Sequence, residues 1–146
     1  MLLAIVAVLG AGCSPSPTPE PAPKPIPAPA PVPDAHANLL RVTVPLANAV
    51  VTSPLVVAGE ARGVWYFEAS FPVRLLDGNG NVLAQVPAQA QGEWMTKEFV
   101  PFKATLTFSS PTSANGTLVL QKDNPSGLSV HDDSISIPVR FSAPSP

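Results

Sequence analysis

The chain has 146 residues, 45% hydrophobic and only 12% charged, a balance that favours folding over disorder. Eight basic against ten acidic residues give a net charge of −2. Lys24, Lys97, Lys103 and Lys122 stand singly along the chain, which argues against the concentrated basic face of a nucleic-acid binder.

One cysteine excludes an internal disulfide or a Cys-based zinc cage. Met1 to Gly12 is apolar and uncharged. It is shorter than the roughly 20 residues of a membrane span but matches the apolar core of an export signal. Leu9, Gly10, Ala11 and Gly12 lead directly into Cys13. This resembles the bacterial lipobox, in which lipid is attached to the cysteine and the signal is cleaved just before it. Residues 1–13 are therefore expected to export the protein and anchor it through Cys13 on the extracytoplasmic side of the cell membrane.

Between Ser14 and Pro33, proline occupies every second position. Each ring fixes its own φ and pushes the preceding residue toward extended backbone. The segment 14–38 is expected to be a polyproline II stalk, rising about 3.1 Å per residue. It is read as a passive spacer rather than a docking site for SH3-type partners.

From Leu39 the pattern changes to a period of two. Arg41 to Val44 alternates, and Leu55 to Gly59 is a short apolar run. From Trp65 to Leu75 every odd position is apolar, which predicts one strand with Trp65, Phe67, Phe71, Val73 and Leu75 inward. Pro72 calls for an edge or a bulge there. Asp77-Gly78-Asn79-Gly80 predicts a tight hairpin into a strand over Asn81 to Pro87. Trp94 to Phe99 is less regular, and Phe102 to Phe108 alternates again. Asn115-Gly116 reads as a turn before Thr117 to Lys122. The last strand, Ile135 to Phe141, places Ile135, Ile137, Val139 and Phe141 inward. About seven strands and no amphipathic helix predict an all-β, immunoglobulin-like antiparallel sandwich over 39–142, with a 143–146 tail.

The same stretch carries Ser53-Pro54-Leu55, Gly59-Glu60-Ala61-Arg62, Phe67-Glu68-Ala69, Phe71-Pro72-Val73, Gly92-Glu93-Trp94 and Lys122-Asp123-Asn124-Pro125-Ser126-Gly127. With Asp77 and Gly80, this series resembles the Gmad2 family, an immunoglobulin-like domain of bacterial spore germination proteins. The resemblance implies a β-sandwich in a cell-envelope setting and no established activity.

Catalytic and metal chemistry find little support. His36 lies in the stalk, and His131-Asp132-Asp133 supplies too few ligands from one loop. No Gly-x-Ser-x-Gly elbow or phosphate-cradling glycine loop occurs. No cofactor or metal is expected, and the chain is read as not an enzyme. Two features could bind a partner. The polar turn Asp123, Asn124, Ser126 and Gly127 sits where sandwiches present contact residues. Tyr66, of opposite parity to Trp65 and Phe67, is expected on the wet face. The reading is a tethered binding or structural module for an envelope protein or wall polymer, with a link to sporulation or germination. The alternative is an extracellular protease inhibitor using Asp123–Gly127 as a wedge.

Overall fold

The structure is a computed structural model in which residues 36–142 are described. The signal segment with Cys13, the stalk up to residue 35 and the 143–146 tail lie outside the described residues. Eight strands follow in order: β1 (Leu40–Val44), β2 (Val50–Val51), β3 (Leu55–Arg62), β4 (Ser70–Asp77), β5 (Val82–Ala90), β6 (Phe99–Leu106), β7 (Asn115–Gln121) and β8 (Ser134–Phe141). No α-helix occurs among the described residues; Gly63–Trp65 and Ser129–His131 are single 3-10 turns.

The expected all-β sandwich is present, formed by one sheet that curls over itself. Its strand order is β1-β3-β6-β5-β4-β7-β8-β2. All pairings are antiparallel except β2 with β8. The layers β1-β3-β6 and β5-β4-β7-β8-β2 are joined only where Gln89 and Ala90 meet Lys103 and Phe102. The first strand is divided between layers, with β1 on β3 and the two-residue β2 on β8.

Alternation explains the core. Phe71, Val73 and Leu75 of β4 are fully buried, as are Leu106 of β6 and Leu118 and Leu120 of β7. Phe102, Ala104, Ile135, Val139 and Phe141 join them, with Ile137 half-buried against the cluster. The Phe71 and Phe102 rings meet edge to face across the layers at 5.0 Å. Each such ring contributes roughly 1.5–3 kcal/mol by leaving water.

Pro72 stands opposite Pro87, and neither can donate, so the two exchange no hydrogen bond. Each ring nitrogen therefore faces away from its partner strand, Pro72 toward a flank where the β7 ladder begins only at Val73. The predicted edge is thus local, because β4 is otherwise an interior strand. Asp77 organises the hairpin as expected. Its carboxylate accepts the Asn79 and Asn81 amide N–H groups at 2.8 and 2.9 Å and the Asn81 side-chain amide at 3.0 Å. Those bonds, the Asn81 side chain foremost, hold its carboxyl below the usual carboxylate range.

Several expectations are corrected. Asn115-Gly116 is no turn: both residues lie in β7, and Gly116 pairs with Asp77 and Val139. Glycine is required there by close approach, since a Cβ would strike the Leu76 carbonyl and the Phe141 ring. Trp94 to Glu98 is loop, because the chain there wraps around Gly63 rather than pairing. His36 to Asn38, read as stalk, are bound into the domain. His36 Nε2 lies 2.7 Å from Asp133 Oδ1, and the Ala37 and Asn38 carbonyls accept Arg41 Nε and Arg62 Nε at 3.0 and 2.6 Å.

Gly116→Ala should destabilise the domain by roughly 1–3 kcal/mol, the usual cost of overpacking a tight interior. Urea denaturation followed by tryptophan emission measures it, and a near-neutral result contradicts the close-approach explanation.

Candidate functional site

Three loops gather at the end of the sandwich where the described chain begins. The β3–β4 loop (63–69) lies between the β5–β6 loop (91–98) and the β7–β8 loop (122–133). A Cβ on Gly63 would collide with the Trp94 and Thr96 carbonyls, so only glycine lets those loops meet. On the other side the Asp123 amide donates to the Trp65 carbonyl at 3.1 Å. Trp65 is fully buried beneath them, with the His36 ring edge-on at 6.1 Å. Its indole Nε1 has no hydrogen-bond partner.

Tyr66 is not on the wet face. It is 4% exposed, its ring lies 5.3 Å from that of Phe71, and its hydroxyl donates to the Val100 carbonyl at 2.7 Å. The exposed neighbour is Phe67, 41% accessible. The cause is a break in the predicted strand. Glu68 and Ala69 both have left-handed backbone, φ 49° and 62°, and Phe67 and Ser70 exchange backbone hydrogen bonds across them. Two successive positive φ values make a tight hairpin turn usually built from Asn and Gly. Glu-Ala gives no such signal, and side-chain parity does not carry through the turn.

The turn predicted at Asp123–Gly127 forms, but its polar groups are directed inward. Asn124 Nδ2 donates to the Leu128 carbonyl at 2.8 Å and to Asp132 Oδ1 at 2.7 Å. Its Oδ1 accepts the Ser126 amide and hydroxyl, and Ser126 Oγ accepts the Leu128 amide at 3.3 Å. Gly127, at φ +66°, lets the chain reverse. Asp123 instead borders a shallow groove on the outer face of β4 and β5 with Ser70, Pro72, Gln85 and Pro87. The structure therefore brings Asn124, Ser126 and Gly127 together as one self-bonded turn and separates Tyr66 from them.

What the loop end offers outward is apolar. Ten large hydrophobic side chains are exposed among the described residues, and five are on these loops: Val64, Phe67, Met95, Leu128 and Val130. Met95 and Val130 are the most open, at 75% and 80%. Sequence pattern hides these positions, because single apolar residues in polar loops carry no periodicity. At the other end, Val44, Leu46, Val50, Pro54 and Val56 line a second groove. Among the described residues no group of three or more His, Cys, Asp or Glu could hold a metal ion. None of their helices is long and apolar enough to cross a membrane.

Two measurements check this account. Burial pushes the Tyr66 pKa from 10.0 up to about 12, with the Ala61 backbone pulling weakly the other way. The unfolded chain ionises first, so stability should be full below pH 10 and fall as pH rises toward 12. Tyr66 is the chain's only tyrosine, so phenolate absorbance should rise together with unfolding. Asn124→Ala should cost about 1–2 kcal/mol through its lost hydrogen bonds. Hydrogen exchange should speed up at the Ser126 and Leu128 amides while the β4 and β7 amides stay protected.

Compared with known proteins, residues 39–129 match the family model Gmad2, described as an immunoglobulin-like domain of bacterial spore germination. No curated protein and no solved structure matches the chain.

Proposed function

The chain belongs to the Gmad2 family of immunoglobulin-like domains of bacterial spore germination, and on that premise we propose that it is a non-catalytic binding or structural module, exported and held at the membrane by a lipid on Cys13. In this reading residues 14–35 form a semi-rigid spacer, and the domain meets an envelope protein during sporulation or germination. The supporting observation is the loop end. Its backbone is fixed by Trp65, Gly63 and the Asn124 turn, while Met95, Leu128 and Val130 point into solvent. Rigid loops with exposed apolar tips lose little entropy on binding and gain contact area.

The inhibitor alternative has less support. An inhibitory wedge must offer its polar groups to a protease cleft, whereas Asn124 and Ser126 bond within their own loop.

The test uses the full chain expressed in a spore-forming bacterium and cross-linked in intact envelopes. The wild type should fractionate with membranes and recover a discrete partner. Cys13→Ser should release the protein into the soluble exported fraction. The double substitution Leu128→Asp and Val130→Asp should abolish recovery of the partner while far-UV circular dichroism is unchanged. Membrane retention by the first variant or partner recovery by the second overturns the corresponding part of the reading.

A further inference from the structure

A second surface, separate from the loop tips, has its own chemistry. On the outer face of the β1-β3-β6 layer the outward residues are Arg41 and Thr43, then Val56, Ala58, Glu60 and Arg62, then Phe99, Pro101, Lys103 and Thr105. They include three cations and one carboxylate, although acidic residues outnumber basic ones in the whole chain. Lys97, exposed in the adjoining loop, adds a fourth positive side chain.

The arginines are held in place. The Arg41 and Arg62 guanidinium carbons lie 4.1 and 4.3 Å from the centroid of the same Phe99 ring. Arg62 donates from Nε to the Asn38 carbonyl at 2.6 Å and from Nη1 to the Lys97 carbonyl at 2.7 Å. Arg41 donates from Nε to the Ala37 carbonyl and from Nη1 to Glu60 Oε1, both at 3.0 Å. The Nη2 groups of both arginines donate to no protein atom among the described residues. Two like charges fixed within about 8 Å of each other repel, and Glu60 neutralises one of them. An oxyanion between them would relieve the repulsion and accept the unused N–H donors, the geometry for which guanidinium is best suited.

Lys103 lies four residues along β6 from Phe99, about 13 Å at the rise of a strand. The cations therefore form a track along the sheet rather than a point. Between them the surface is flat and carries short side chains, Thr43, Ala58 and Thr105. The bulky exposed side chains that would enter a lipid layer, Met95 and Val130, are on the loops instead.

We propose that this face binds a linear polyanion with repeated phosphodiester groups, lying along β6 with one phosphate at the Arg41–Arg62 pair and another near Lys103. This goes beyond the module reading and uses different side chains.

The test is calorimetric titration of the full chain, purified in detergent, with soluble poly(glycerol phosphate). Inorganic phosphate and detergent-free vesicle binding of the Cys13→Ser variant serve as comparison arms. The polymer should bind, inorganic phosphate should bind far more weakly, and a tenfold rise in salt should weaken polymer binding about 100-fold, as expected for some three neutralised phosphates. Arg62→Gln should weaken binding at least tenfold. Because Arg62 also holds the Asn38 and Lys97 backbone, Lys103→Glu provides an independent variant and should weaken binding comparably. The Leu128→Asp and Val130→Asp double variant should bind the polymer as wild type does. No polymer binding, binding indifferent to both Arg62→Gln and Lys103→Glu, or binding only to phosphatidylglycerol vesicles overturns the proposal while leaving the loop-end reading intact.

Discussion

The sandwich is closed by a run of aromatic contacts between its layers. Tyr66 leans on Phe71, and Phe71 meets Phe102 edge to face across the interior. Trp65, wholly buried, continues this core up to the loops. Such pairs add about 0.5–1.5 kcal/mol each beyond the area they bury. Their placement also has a geometric effect. Because Trp65 and Tyr66 belong to the loop and not to a strand, the core itself fixes where the loop end begins. The Tyr66 hydroxyl on the Val100 carbonyl fastens the same loop to β6.

The contrast between inside and outside at the loop end follows from that anchoring. Two consecutive aromatics are drawn inward, so the chain must turn sharply to start β4, and Phe67 is left in solvent. The β7–β8 loop solves its backbone problem differently, using Asn124 as an internal hub for Leu128, Asp132 and Ser126. In both loops polar and aromatic groups that could have met a partner are spent on shape. Contact falls to aliphatic tips. The charged side chains are organised elsewhere, on a strand face where regular spacing sets their separation.

Much of this fold was legible in the sequence, where one face of a strand is dry and the other wet. Phe102 to Phe108 and Ile135 to Phe141 alternate as they do because each lies between core and solvent. Phe71 to Leu75 followed the same rule, and the extension back to Trp65 did not, since Glu68 and Ala69 adopt a turn their side chains do not advertise. Gly116 looked like turn chemistry because the requirement for a bare α-carbon reads the same whether it comes from φ or from a crowding ring. The two-residue β2 is too short to show a period. Of the candidate site, the Asp123–Gly127 turn was visible, but its inward bonding was not. The Arg41, Arg62 and Phe99 cluster was invisible for another reason: it joins three strands distant in sequence, and only pairing brings them together.

The placement of proline within the strands has a consequence for fidelity of folding. Pro72 faces Pro87, Pro138 faces Thr117 and Pro101 faces Glu60. In the native alignment their missing donors are not needed by the facing strand. A slip of one residue between β4 and β5 would turn Phe71 and Val73 outward. It would also set both ring nitrogens where the ladder requires an N–H. Misaligned pairing is thus penalised twice, once by lost burial and once by broken backbone bonding, and the prolines act as checks against error rather than as flaws in the sheet.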